Sequence, residues 1–247
     1  YPKDQLRVAW ALGYLGNIYR TFGDDKKAEE LLEESLAIYK KYPKNYTGIA
    51  WAYGYLGNIH RCLGNNKKAK ILLEESLKIY KEHFSEAHVG VAWALTHLGG
   101  IDTNIGNYKK AKEELEEALI IYKKNFDEKH VRVAWATGCL SIVYVKLGEY
   151  KKAKSLFEKI LIIYKDHLPE DHVDIAWTLL NLGNIYRILA DHKKAKNLIQ
   201  AALLIYEKHF QKNHYRIANT LIQLGNVYKD LGDYKTAQLL FRRALLI

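Results

Sequence analysis

Methionine is missing altogether from the 247 residues, proline occurs only at Pro2, Pro43 and Pro169, and cysteine only at Cys62 and Cys139. So little proline lets long helices run uninterrupted, because proline removes a backbone donor and clashes with the preceding turn. Two cysteines so far apart give no disulfide framework, so we expect free thiols, a reducing compartment and a cytoplasmic location. No apolar run approaches the ~18 residues of a membrane span, which argues against a membrane partner. Also missing are a P-loop, a dinucleotide fingerprint and any nucleophile–base pairing. The sequence reads as non-catalytic and implies no cofactor.

What is present is repetition. Val8-Ala9-Trp10 returns as Ile49-Ala50-Trp51, Val91-Ala92-Trp93, Val133-Ala134-Trp135 and Ile175-Ala176-Trp177, then decays to Ile217-Ala218-Asn219. The spacing is 41 residues once and 42 thereafter. A fixed period in this range marks a solenoid, whose units pack only on their neighbours and together expose a long concave surface. Six units are expected in one domain, near residues 5–45, 46–87, 88–129, 130–171, 172–213 and 214–247. The chain starts and stops inside the pattern, so we expect a fragment of a longer protein with open solenoid ends, through which copies could associate or the repeats could restrain another domain of the same polypeptide.

Each unit reads as two amphipathic helices. In the second, Ile49, Ala50, Tyr53, Leu56 and Gly57 fall at three- and four-residue spacings, as do Ala69, Leu72, Leu73, Ser76, Leu77 and Tyr80, the period of a helix with one apolar face. Between them Gly64 marks a turn, with equivalents at Gly23, Gly106, Gly148 and Gly232 and an exception at Ala190. Glycine takes positive φ at little cost; Ala190 must be strained or its turn must differ. A second glycine (Gly16, Gly57, Gly99, Gly183, Gly225) lies mid-helix, opposite a recurrent alanine (Ala28, Ala69, Ala111, Ala195, Ala237). Small facing small predicts close antiparallel pairs.

Charge is uneven. Residues 1–123 hold 18 basic and 16 acidic side chains, residues 124–247 hold 20 and 12, and the total is +10. A solvated helix face accounts for most of the lysines, with an electrostatic docking face in the last two units as the alternative. Helical-repeat RNA readers vary side chains at repeating sites to read bases. Here those sites keep Trp and Asn, which is poor coding capacity, so nucleic acid is disfavoured as a partner.

The motifs Leu15-Gly16-Asn17-Ile18-Tyr19 and Leu224-Gly225-Asn226-Val227-Tyr228, each followed by a glycine turn and Ala28 or Ala237, resemble the tetratricopeptide repeat. The 42-residue unit is similar to the kinesin light chain group and to Pins-like adaptors. His88, His130, His172 and His214 match a histidine of the kinesin light chain group, without the proline that usually follows it. Packed helices lie roughly 10 Å apart, too far for those histidines to share one metal ion, so a structural or capping role is expected. The resemblance implies an all-α fold, a right-handed α-solenoid of about six antiparallel helix pairs, and a protein-interaction role.

It also implies that the first helix of each unit lines the concave groove. Its inward positions would be Trp10, Tyr14, Asn17 and Arg20; Trp51, Tyr55, Asn58 and Arg61; Trp93 and His97; Trp135; Trp177, Asn181, Asn184 and Arg187; Asn226 and Lys229. An asparagine amide can both donate to and accept from an extended peptide, and Arg20, Arg61, Arg187 and Lys229 would favour acidic side chains. Two alternatives stay open: the asparagines could fix one repeat to the next, and the tryptophans could be inter-repeat core. The tyrosines Tyr39, Tyr80, Tyr122, Tyr164 and Tyr206 are expected in the core or in convex packing.

Overall fold

A computed structural model describes residues 2–247, and every regular element among them is an α-helix. First (A) and second (B) helices alternate: α1 (Pro2–Thr21), α2 (Asp25–Lys40), α3 (Tyr46–Cys62), α4 (Asn66–His83), α5 (Val89–Asn104), α6 (Tyr108–Asn125), α7 (Val131–Lys146), α8 (Tyr150–His167), α9 (Val173–Ile188), α10 (His192–His209), α11 (Tyr215–Asp230) and α12 (Tyr234–Leu245). The chain is an all-α fold of solenoid type, as the repeat period requires. It divides into two compact units, one ending at Glu128 and one spanning Lys129–Ile247.

Each A helix stops at a left-handed residue. Gly64 has φ +76° and Gly106 φ +87°, and Ala190 takes the same conformation at φ +63°. The fifth turn is therefore of the same kind as the others, and its alanine carries the strain of a Cβ in the left-handed region.

The helix starts are capped from the sequence. Asp24, Asn65, Asp191 and Asp233 accept the N–H of the residue three further on, which satisfies a donor that the helix itself leaves open. His88, His130, His172 and His214 cap the A helices differently: each Nδ1 accepts the N–H two residues on, at 3.1–3.2 Å. This places the proton on Nε2 and gives the four histidines the capping role. Asn45 takes the corresponding place ahead of α3.

Within a pair, the helices approach where glycine meets alanine. A Cβ on Gly57 would lie 3.0 Å from the Ala69 carbonyl oxygen, and one on Gly99 3.2 Å from that of Ala111. The tyrosine row is buried: Tyr39, Tyr80, Tyr122, Tyr164 and Tyr206 all lie in the core. Desolvation pushes the Tyr80 hydroxyl up to about 12.

Candidate functional site

The A helices of the first unit carry one continuous aromatic stack. Trp10 lies 4.3 Å from Tyr14, Tyr14 5.5 Å from Trp51, Trp51 4.3 Å from Tyr55, Tyr55 5.2 Å from Trp93, and Trp93 4.3 Å from His97, centroid to centroid. Glycine makes room for it. A Cβ on Gly13 would sit 2.3 Å from the Trp51 ring, and one on Gly54 2.3 Å from the Trp93 ring. Trp51 and Trp93 are thus wedged between repeats, half-buried, while Trp10 is 57% exposed and Tyr14 46%.

One turn further along α1 and α3 come the polar groups. Arg20 Nε donates to Asn17 Oδ1 at 3.1 Å. Arg61 donates to Asn58 Oδ1 from Nε at 3.2 Å and from Nη2 at 2.9 Å. Each asparagine fixes its own arginine, and most of the five guanidinium donors stay open. Neither arginine forms an ion pair within 4.0 Å of a carboxylate among the described residues. His97 is buried beside them; desolvation first, then the charges of Arg61 and Arg20, hold its pKa well below the ordinary value.

The second unit differs at each of these positions. Trp177 rests on Gly138, whose Cβ would lie 2.7 Å away, and meets the edge of Phe157. Trp135 is half-buried. Asn181 donates to the Trp177 carbonyl of its own helix at 2.8 Å. Arg187 is held 2.9 Å from Asp230 of the next A helix. Its Nε and the Asn184 Oδ1 are consequently buried without a hydrogen-bond partner, because the guanidinium has swung from the asparagine to the acid. Arg187 thus meets an acidic side chain of its own chain rather than a partner's. Asn226 is half-buried and Lys229 exposed.

Sequence reasoning treated Arg20, Arg61 and Arg187 alike. The signal that separates them was present. Asp230 stands eleven residues after Asn219, whereas Cys62 and Asn104 occupy that place after Trp51 and Trp93.

A second charged cluster lies where the A helices meet the B helices. Asp102 is fully buried and takes hydrogen bonds from Lys70 Nζ at 2.8 and 3.1 Å and from Asn107 Nδ2 at 3.0 Å. Lys110 Nζ lies 3.6 Å from it and 3.5 Å from Glu114. The bonds from Lys70 and Asn107 outweigh burial and keep the Asp102 pKa below its usual value. Burial, then the charge of Asp102, pushes Glu114 up to about 7. Among the described residues no group of three histidine, cysteine or acidic side chains could hold a metal ion.

The tetratricopeptide repeat family matches residues 7–82, 90–166 and 174–246, and the chain belongs to it. Among solved structures, the nearly identical TPR-like repeats of kinesin light chain type from Podosopora anserina are 20% identical, covering 79% of this chain and 92% of that one, with a TM-score of 0.57. The apo form of RapI is 18% identical over 97% of this chain and 82% of its own, with a TM-score of 0.73. A Rap protein complexed with competence and sporulation factor is 16% identical over 99% and 76%, with a TM-score of 0.71. No curated protein matches the chain in sequence.

Proposed function

We propose that this chain is a non-catalytic protein-interaction scaffold that holds an extended segment of a partner protein along the A helices of its first unit. The observation that carries this reading is the state of Arg20 and Arg61. Both are pinned by a neighbouring asparagine, beside a stack of rings whose first two members are open to solvent. Neither lies within 4.0 Å of a carboxylate among the described residues, although the Arg20 charge is felt at Asp25. A guanidinium held in a half-buried site gains most from a charge-assisted, bidentate bond to a carboxylate, and flat aromatic area costs little entropy to use. Family membership supports the reading, and so does the likeness of fold to a Rap protein solved with a bound factor.

The alternative is an intramolecular regulatory or oligomerisation role within a larger multidomain protein.

The test is a screen of displayed disordered peptides against the whole chain, with Arg20→Glu/Arg61→Glu as control and its helicity checked by circular dichroism. We expect an acidic motif that the double variant loses. Enriched peptides that bind the variant equally well would refute the site.

A further inference from the structure

The junction of α2 with α3 and α4 lacks a ring that later junctions have. Tyr144, Tyr186 and Tyr228 stand at one place in their A helices, and His60 stands at that place in α3. The later rings are held at the hydroxyl: Tyr186 donates to Glu158 Oε1 at 2.9 Å, and Tyr228 accepts from Gln200 Nε2 at 3.3 Å. Lysines cover their faces, Lys152 Nζ at 3.7 Å from the centre of Tyr144 and Lys194 Nζ at 5.2 Å from that of Tyr186. Near His60 the same frame persists, with Glu33 in the place of Glu158 and Lys68 in that of Lys194. The imidazole is shorter than a phenol and brings no hydroxyl to Glu33. It is 4% exposed, and its Nε2 lies 3.1 Å from Glu29 without forming a hydrogen bond.

His60 and Glu33 line a cavity of about 280 Å³ between α2, α3 and α4. Leu36, Leu56 and Leu72 supply apolar walls. Ala37 is exposed at its rim, where later B helices carry the longer Lys78, Ile120, Ile162 and Leu204. Roughly 150 Å³ of apolar cavity is enough to take a benzene ring. Neither the stacked rings nor Arg20 and Arg61 line this cavity, so it is distinct from the surface proposed for an extended partner.

We propose that the cavity binds a phenol, its ring between the leucines and its hydroxyl donating to Glu33 as Tyr186 donates to Glu158. The charges at the cavity select for such a ligand. Glu33 disfavours an acid, and Lys40 and Lys68 disfavour an amine. A neutral ring with one donor suits all three. A phenol ionises only near pH 10, so at neutral pH it keeps the proton it donates, and a bond to a carboxylate is charge-assisted. A free phenol and a tyrosine side chain of a partner share this chemistry.

The test is a set of saturation-transfer NMR titrations on the whole chain, comparing p-cresol with p-methylanisole, in which a methyl group replaces the donated proton. We expect p-cresol to bind at least about tenfold tighter, the worth of a hydrogen bond to a charged acceptor, and Glu33→Leu to remove that preference. His60→Tyr supplies the ring from the chain itself, and Ala37→Ile closes the rim with a residue that later repeats use. Both should abolish p-cresol binding while circular dichroism shows the helices intact. N-acetyltyrosinamide separates the two sources: binding as tight as that of p-cresol supports a tyrosine side chain, and its exclusion supports a free phenol. Equal affinity for p-cresol and its methyl ether overturns the proposal, as does failure of p-cresol to bind or binding that survives both filling variants.

Discussion

Lys70 in the first unit and Lys154 and Lys196 in the second stand at one place in the repeat, and each reaches forward to the next A helix. Lys70 finds the carboxylate of Asp102 at 2.8 Å. Lys154 finds the ring of Tyr186 at 4.8 Å and Lys196 that of Tyr228 at 5.8 Å. The repeat thus demands only something attractive to a cation, and an acid or an aromatic face will serve. The costs differ: a buried ion pair must offset the desolvation of both charges, whereas a partly exposed cation–π contact contributes roughly 0.5–2 kcal/mol with one charge still near water. Only the first unit adds a second acid, since Glu114 stands where the other repeats have Leu72, Leu156, Leu198 and Leu240. A related split runs along the A helices, where Arg187 is ion-paired with Asp230 and Arg20 and Arg61 are held by asparagines.

The largest effect should come from breaking the aromatic stack of the first unit. Gly54→Leu drives a side chain into Trp93, whose ring touches both Tyr55 and His97. Overpacking alone costs about 1–3 kcal/mol, and a displaced Trp93 disturbs its neighbours too. We expect a loss above about 3 kcal/mol by urea denaturation, with the near-ultraviolet circular dichroism reduced. Gly138→Leu meets Trp177, which has only an edge contact to Phe157, and should cost less. Equal losses would mean the stack is not cooperative. Gly100→Ala is the control: a Cβ there meets nothing within 4 Å, and helix propensity predicts a gain of up to about 1 kcal/mol.

Titration should separate the units next. A carboxyl whose pKa is raised on folding binds more protons in the native state, so its contribution falls as pH rises. For Glu114, raised from its ordinary 4.5 to about 7, stability drains between those values and the loss is complete above them. Glu114→Gln removes the effect. Its advantage over the unaltered chain should grow from pH 5 to pH 7 and level off above, reaching about 2 kcal/mol. The second unit has the opposite slope at His214, which burial and then Arg216 depress to about 4. A base held neutral on folding loses stability as pH falls from its ordinary 6.5 toward that value. His214→Asn keeps a cap and should flatten the acid limb. Parallel pH curves for the two variants would erase this part of the contrast.

Much of this was legible beforehand. The helix pairs, the glycine turns, the buried tyrosines and the capping role of the histidines all follow from local rules that act within a few residues or between adjacent helices. The candidate site was less legible, because its residues matter through partners one repeat away. Nothing inside repeat five shows that Arg187 is spent on Asp230; only comparison at a 43-residue separation does. Asp102 likewise stands in register with Tyr19, Tyr144, Tyr186 and Tyr228, and its role appears only with Lys70 beside it. The wedge of Trp51 over Gly13 needed both ends of a 38-residue contact, which periodicity within one helix does not reveal.

The smallest effect is the cleanest comparison between the units, because it involves backbone alone. Ala190 in the second unit and Gly64 in the first hold the same left-handed turn, at φ +63° and +76°. A Cβ at Gly64 meets nothing within 4 Å, so its only penalty is conformational. The left-handed conformation costs an L-residue roughly 1–2 kcal/mol, partly offset because glycine gives the unfolded chain more freedom to lose. Ala190→Gly should therefore stabilise the chain by about 0.5–1 kcal/mol, and Gly64→Ala should destabilise it by a similar amount. Equal and opposite shifts in the urea midpoint would show that the two turns are interchangeable. A neutral Ala190→Gly beside a costly Gly64→Ala would show that the fifth turn has relaxed around its alanine, leaving no strain to relieve.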